Sequence, residues 1–289
     1  MATVAPDGEQ DVQLLKDEEG GLMRETGITT VSFYKGDFKA AVEAVRAQLA
    51  LVVASNAWLA GRLVKTKAGV RLRHPASPSA THIDALFTAT SADDAAAFKL
   101  SPTAAYVKIC ADMYASNKVI VQSGGGLVGK DLPVTLLTMS ESAAGQFALI
   151  FSMSHAVGDG RTYYEVFQMQ QPGAAVRALS SARVMSFSES MRDQCGRKEL
   201  EWADKPGTMC LYTCPMLPCC AGQAPKCYAF HVDADKLAAA KAAGAKGADV
   251  EYVTTNDILT SGFFNECGSR IGASSGRWVA VHHEHAPEV

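Results

Sequence analysis

The sequence has little charge imbalance, with 27 basic against 30 acidic residues and a formal net charge of −3 over 289 residues. It lacks a basic patch interleaved with aromatic residues, which argues against a nucleic-acid binder. It also lacks an apolar run of the roughly 18 residues that a membrane-spanning helix needs. No basic segment followed by an apolar one marks a secretory signal near the first residue. These absences predict a globular, cytoplasmic protein.

Cysteine is not scarce, but its spacing lacks the paired Cys-x2-Cys pattern of zinc sites. Five of the eight cysteines lie between Cys210 and Cys227, together with three prolines. Reduced thiols are expected, because nothing marks the chain for an oxidising compartment. Packing of small apolar thiols is the favoured interpretation of this segment. A metal site, or a loop that is acylated or makes peripheral contact with a membrane, remains an alternative. No metal ligand set is predicted.

One stretch places a histidine where a core strand is expected to end. The apolar run Phe147–Phe151 predicts a buried strand, and the apolar spacing after Thr162 predicts a helix. His155 lies between the two, three residues before the first glycine of a Gly-Asp-Gly turn, Gly158–Gly160. The unperturbed pKa of histidine, about 6.5, suits a general base. A histidine that merely packs at a strand end is the alternative interpretation.

Three segments in the same order resemble one family. His155-x-x-x-Asp159-Gly160 resembles the HxxxDG signature of the CoA-dependent acyltransferase superfamily. That superfamily includes chloramphenicol acetyltransferase, the plant BAHD acyltransferases and the condensation domains of peptide synthetases. Asn56–Leu63 resembles the PLAGRL segment of BAHD-like members, and Val253–Thr260 resembles their STNDALTA segment.

The resemblance implies an α/β fold, a chloramphenicol acetyltransferase-like sandwich of a mixed sheet and helices. Members have two such lobes with a tunnel between them. The implied reaction moves an acyl group from acyl-CoA, a cosubstrate, to a small alcohol or amine acceptor, with no permanently bound cofactor. His155 would take the proton of the acceptor as it attacks the thioester carbonyl. Ser154 stands where condensation domains have a second histidine, which favours a BAHD-like or chloramphenicol acetyltransferase-like member, although the DFGWG motif of plant BAHD enzymes is missing.

The resemblance also implies roles for neighbouring residues. Asp159 would point away from the substrate and hold the loop, usually through an arginine. Gly158 and Gly160 would allow the turn, since glycine adopts backbone conformations that other residues resist. The oxyanion of the tetrahedral intermediate needs hydrogen-bond donors. Residues that suit this contact by position and type are Ser152, Thr254 and Thr255.

Composition and the three segments together predict four regions. Residues 1–27 are expected to form a flexible acidic leader, and residues 28–172 a complete N-terminal lobe that carries HxxxDG. Residues 173–226 would form a crossover with the cysteine- and proline-rich loop, and residues 227–289 the start of the second lobe with a disordered tail. Since two-lobe members are longer, the second lobe is expected to be partial. The alternative function is therefore an inactive or truncated relative that acts as a binding or interaction module. The oligomeric state is left open.

Overall fold

A computed structural model of the chain divides into two compact units, Met1–Cys227 and Tyr228–Val289. The first unit contains two four-stranded sheets with helices, which confirms the predicted mixed α/β class. The cysteine-rich segment Cys210–Cys227 and the predicted tail after residue 271 lie outside the described residues. The structure describes residues 3–4, 8–25, 27–94, 98–116, 118–143, 145–196, 232–248 and 252–271.

Strands and helices are interspersed along the first unit, and the second unit contributes two of the described helices. The strands are β1 (Thr3–Val4), β2 (Glu9–Gln13), β3 (Gly27–Lys35), β4 (Arg62–Thr66), β5 (Gly69–Pro75), β6 (Phe87–Thr90), β7 (Thr135–Ala143) and β8 (Gln146–Ser154). The helices are α1 (Lys16–Glu19), α2 (Gly21–Glu25), α3 (Phe38–Ser55), α4 (Ala80–Leu86), α5 (Tyr106–Ser116), α6 (Gly124–Leu127), α7 (Gly160–Met169), α8 (Phe187–Cys195), α9 (Ala234–Ala248) and α10 (Thr255–Ile271). A 3₁₀ helix, Ala57–Ala60, joins α3 to β4. Within the described ranges, no helix is both long and apolar enough to cross a membrane.

The sheet that positions His155 has the strand order β3-β8-β7-β6, with β6 parallel to β7 and the other pairs antiparallel. Its strand β8 is buried from Phe147 to Ser154, which explains the unbroken apolar run in the sequence. Successive side chains serve different cores: Phe151 joins the main core, whereas Ile150 packs in a smaller cluster with Leu100. Because β8 is held on both edges and both faces, its carboxyl end is a rigid support for the residues that follow.

Helices α3 and α7 contact one another, and both pack in the main core. The side chain of Asp37 begins α3 by accepting a hydrogen bond from the Ala40 amide (3.1 Å). Leu49 and Val52 then recur on the buried stripe of that helix. The hydroxyl of Tyr163 in α7 donates to the Phe151 carbonyl of β8 at 2.7 Å, so α7 is fixed to the strand that precedes it. Burial raises the pKa of Tyr163 to about 12.

The predicted flexible acidic leader, residues 1–27, is wrong for the described residues 8–25. Strand β2 pairs with β5 in the second sheet, whose order is β1-β2-β5-β4. Val12 and Leu14 alternate into the core and are only 6% and 1% exposed. Four of the acidic residues do not belong to a solvated tail, because their carboxylates pair with arginines of later segments. These pairs are Glu9–Arg73, Asp11–Arg73, Glu18–Arg183 and Glu19–Arg71.

The first part of the predicted crossover packs closely on α3. The side-chain amide of Gln48 donates to the Ala174 carbonyl (3.0 Å). The side-chain amide of Asn56 donates to the Arg177 carbonyl (3.0 Å), and its oxygen accepts from the Leu179 amide (2.7 Å). This extended segment pairs with no strand of the described structure. The side chains of Gln48 and Asn56, both buried, supply hydrogen-bond partners for its backbone groups instead.

Candidate active site

His155 follows the last residue of β8 and lies in a turn closed by a hydrogen bond from the Val157 amide to the Ser154 carbonyl (3.2 Å). The imidazole is half-buried. Its Nδ1 atom is buried and has no hydrogen-bond partner among the described residues. The ring therefore meets solvent only in part, at the end of a rigid strand, which is a geometry suited to proton transfer.

Asp159 lies one residue before α7 and caps that helix. Its Oδ1 atom accepts a hydrogen bond from the Thr162 amide (2.8 Å). This amide holds the pKa of Asp159 below its usual range, and the nearby charges of His155 and Arg161 act in the same direction. The carboxylate is thus ionised at neutral pH, and it orients the first turn of the helix that follows His155.

Replacement of Asp159 by alanine is expected to lower the free energy of unfolding by about 1 kcal/mol, the usual cost of a lost helix cap. Asparagine at the same position retains an acceptor for the Thr162 amide, so Asp159→Asn should lower the free energy of unfolding much less.

The stabilising effect of Asp159 should also depend on pH. Since the pKa of Asp159 is lowered by folding, its charge stabilises the protein above about pH 4, the pKa of an unfolded aspartate. That contribution is lost as the pH falls through the folded pKa. Urea unfolding of the three proteins, from neutral pH down to about pH 3, checks this sign.

A matched control is another aspartate cap of the first unit, Asp37 of α3. Asp37→Ala should cost a similar free energy of unfolding but leave any activity that depends on His155 unchanged. If Asp159→Asn destabilised the protein as much as Asp159→Ala at neutral pH, the capping role would be refuted.

The arginine that holds this turn is Arg183, a residue that sequence reasoning missed. Its Nη2 atom donates to the Val157 carbonyl (3.0 Å), and its Nε atom pairs with Glu18 Oε2 (3.0 Å). No ion pair joins Asp159 to an arginine within the described part of the chain. The expected arginine thus contacts the backbone of the turn and not the aspartate. A separation of 165 residues between Glu18 and Arg183 leaves no local signal in the sequence.

The two glycines of the turn do not have the backbone conformation that the sequence analysis assigned to them. Neither Gly158 nor Gly160 has a positive φ. Gly158 is favoured for a different reason, since a Cβ atom there would lie 2.9 Å from both the Met153 Cε and Thr162 Cγ2 atoms. Gly160 begins α7 in open space. The close packing of the turn against β8 and α7, and not left-handed backbone geometry, therefore favours glycine at 158, since any larger residue would make the Met153 or Thr162 side chain shift.

The three residues predicted to contact the oxyanion lie in different parts of the structure. The hydroxyl of Ser152 is buried, shares a hydrogen bond with Thr29 Oγ1 (2.8 Å) and accepts one from the Val121 amide (3.0 Å). Thr254 forms the predicted capping box of α10, because its backbone amide donates to Asp257 Oδ2 (2.8 Å) and its hydroxyl accepts from the Asp257 amide (3.1 Å). Thr255 is the first residue of that helix. Both threonines belong to the second compact unit, and their contact with substrate remains a prediction.

The structure thus brings four predicted residues together in one turn, His155, Gly158, Asp159 and Gly160. Two cavities lie elsewhere in the first unit, one of about 900 Å³ beside Asp37 and one of about 160 Å³ beside Phe147. Neither of these two is lined by His155.

No family model and no curated protein matches this chain. Solved structures resemble parts of it. TRI101 of F. sporotrichioides, complexed with coenzyme A and T-2, is 12% identical over 55% of this chain and 40% of its own, with a TM-score of 0.38. The first condensation domain of the CDA synthetase is 14% identical over 67% of this chain and 47% of its own, with a TM-score of 0.45. The starter condensation domain of rhizomide synthetase is 18% identical over 50% of this chain and 30% of its own, with a TM-score of 0.33. The chain therefore spans less than half the length of these structures.

Proposed function

We propose that this protein takes part in acyl transfer from a CoA thioester to an alcohol or amine, with His155 as the general base. The observation that carries the proposal is the place of His155 in its HxxxDG segment, half-buried at the end of a strand that is buried from Phe147 onward. With Nδ1 shielded from solvent, Nε2 is the nitrogen that receives the proton.

The proposed reaction has two steps, addition of the acceptor and loss of CoA. Nε2 of His155 removes the proton of the acceptor as its oxygen or nitrogen bonds to the acyl carbon, which forms a tetrahedral oxyanion. The carbon–sulfur bond then breaks, and the proton on His155 passes to the departing CoA thiolate. No covalent acyl-enzyme forms, and acyl-CoA is a cosubstrate that leaves as free CoA. Thr254 and Thr255 remain candidates for the oxyanion contact.

Asp159 and Arg183 support the base without touching the reacting atoms. Asp159 fixes the start of α7, and Arg183 fixes the carbonyl of Val157, two residues after the base. Both are positioning residues in this proposal. Their contacts reduce the freedom of the turn, and an ordered base reacts faster because less orientation has to be gained in the transition state.

A binding or interaction module without turnover is the second candidate. One observation favours it: His155 Nδ1 has no hydrogen-bond partner among the described residues, whereas a catalytic histidine is usually oriented by a bond to its other ring nitrogen. A module of this kind would bind acyl-CoA, or a protein partner, and release no product.

The two candidates are separated by one assay on the full chain. The protein is incubated with acetyl-CoA or a longer acyl-CoA and a panel of small alcohols and amines, and free CoA is measured by chromatography. The proposal expects CoA release that depends on the acceptor and saturates with both substrates. Acyl-CoA binding in calorimetry without acceptor-dependent CoA release would refute catalysis and favour the module.

A further inference from the structure

A buried asparagine connects the end of α3 to the chain segment that carries Arg183. Asn56 is 1% exposed and lies directly after the last residue of α3. It is the first residue of Asn56–Leu63, a segment to which the proposed reaction assigns no role. The connecting segment, residues 174–184, runs between α7 and α8 without helix or strand. Arg183 lies near its end and holds the turn of His155. Asn56 is therefore in a position to affect that turn indirectly.

The side chain of Asn56 contacts the connecting segment as a neighbouring strand would. Its Nδ2 atom donates to the Arg177 carbonyl (3.0 Å), and its Oδ1 atom accepts from the Leu179 amide (2.7 Å). One side-chain amide thus serves both partners, as the N–H and C=O groups of a strand residue do in a β-ladder. The Nδ2 atom also donates to the Val52 carbonyl of α3 (3.1 Å). Because hydrogen bonds are directional, these three bonds fix the register of the segment on the helix.

The other contacts of this part of the segment are less specific. Val176 and Leu179 pack against the main core, but apolar attraction has no preferred direction. Arg177 pairs with Glu165 of α7 (3.1 Å), and its side chain is 63% exposed, so this pair contributes little. Within the described residues, the bonds of Asn56 are therefore the main directional link between residues 177–179 and α3.

The link continues from the connecting segment to the turn of His155. Leu179 lies four residues before Arg183, a span of at most about 14 Å in an extended chain. The side chain of Arg183 is only 10% exposed, and it donates to the Val157 carbonyl (3.0 Å). A shift of the Leu179 amide is thus passed through a short piece of chain to Arg183. From there it reaches the carbonyl two residues after the base.

We propose that Asn56 is a positioning residue for His155, which it affects through residues 177–179 and Arg183. The effect on turnover rests on the proposed function, whereas the effect on the turn does not. With the bonds of Asn56 in place, Arg183 is held within reach of the Val157 carbonyl. Without them, the connecting segment shifts, the carbonyl loses its donor for part of the time, and the base is less often correctly placed.

Gln48 provides a matched control on the same helix. Its side chain is 4% exposed and also makes three hydrogen bonds. The partners are the Met169 carbonyl (2.8 Å), the Ala174 carbonyl (3.0 Å) and the Gly173 amide (3.3 Å). These bonds hold the start of the connecting segment, nine residues before Arg183. Loss of either amide should destabilise the protein to a similar degree, but only loss of Asn56 should reach the turn.

Asn56→Leu and Gln48→Met remove the two amides with little change in side-chain size. Hydrogen exchange of the Val157 amide, which closes the turn, is measured by NMR on the full chain. We expect this amide to exchange at least about tenfold faster in Asn56→Leu than in the parent protein, and Gln48→Met to leave its exchange unchanged. In the CoA-release assay, kcat should fall about 10- to 100-fold in Asn56→Leu with an unchanged KM for acyl-CoA, since a misplaced base slows chemistry and not binding.

Two single-glycine insertions test the same link without removing either amide, and they decide the question if Asn56→Leu does not fold. A glycine inserted after the exposed residue Ser180 lies between the contacts of Asn56 and Arg183. A glycine inserted after the exposed residue Ala175 lies before those contacts and is the control. Only the insertion after Ser180 should speed exchange in the turn and lower kcat.

The possible results separate this proposal from the proposed function. Unchanged exchange at Val157 in Asn56→Leu, or an equal increase in Gln48→Met, would overturn the proposal and leave Asn56 with a role in stability alone. An unchanged kcat in a folded Asn56→Leu protein would overturn it as well. A parent protein without acceptor-dependent CoA release would instead refute the proposed function. The exchange comparison alone would then support or overturn the link from Asn56 to the turn.

Discussion

His155→Gln is expected to reduce acceptor-dependent CoA release by about 10²- to 10⁴-fold, the usual contribution of a general base. Glutamine is similar in size to histidine but cannot take up a proton at neutral pH. The fold should be unaffected, because His155 Nδ1 makes no hydrogen bond to a described residue that the substitution would break. The measurement is kcat for CoA release together with the thermal midpoint of each protein. A catalytic role is supported only if kcat falls and the midpoint does not.

The matched control is His82→Gln. His82 is also half-buried, but its Nδ1 accepts a hydrogen bond from the Ser79 amide (3.0 Å) in a capping box at the start of α4. Glutamine can serve in such a box, so this variant should keep both stability and turnover. Full activity in His155→Gln would exclude His155 as the base, whatever the remaining HxxxDG residues do.

The strand, turn and helix around His155 were predictable because their signals are local. The apolar run before Ser152 predicts the buried strand, and the return of apolar spacing after Thr162 predicts α7. The capping box of Thr254 was predictable for the same reason, since its two partners are three residues apart. Features of this kind need no knowledge of the rest of the chain.

Interactions between distant segments were not predictable. The acidic leader looked like a solvated tail because the arginines that pair with it lie far along the chain, Arg73 for Asp11 and Arg183 for Glu18. Net charge and local composition do not encode such pairings. The two alternating apolar residues Val12 and Leu14 were the one local signal for β2, and they were outweighed by the charge around them.

The surroundings of a side chain were not predictable from its residue type either. Gln48 and Gln170 are both buried next to the end of α7, but only Gln48 is hydrogen-bonded within the described structure. Gly158 was assigned to the turn for its backbone freedom, whereas the structure shows that a Cβ atom there would come within 2.9 Å of the Met153 and Thr162 side chains. Both facts arise from packing between α7 and the sheet, which a linear pattern does not contain.

Arg183→Met is expected to lower the free energy of unfolding by about 3 kcal/mol, within the range for breaking a buried ion pair. The side chains of Arg183 and Glu18 are only 10% and 12% exposed. The substitution leaves the Glu18 carboxylate buried without its cation, and it removes the donor to the Val157 carbonyl. Guanidinium unfolding measures the loss. Arg183→Lys should recover only part of it, because a single ammonium group cannot reproduce the forked contact with both partners.

The control pair is Arg161–Glu165, which has the same charges one turn apart on α7 but leaves Arg161 86% exposed. Arg161→Met should cost no more than about 0.5 kcal/mol, since exposed pairs contribute little. If Arg183→Met lowered the free energy of unfolding by no more than this, the buried pair would not hold the turn.

Combining Arg183→Met with Glu18→Gln should restore part of the stability, because no buried charge is then left unpaired. Turnover should be lower in Arg183→Met than in the parent protein and equally low in the double variant, since the Val157 carbonyl lacks its donor in both. Recovery of stability without recovery of kcat would therefore separate the contribution of Arg183 to folding from its contribution to the position of His155.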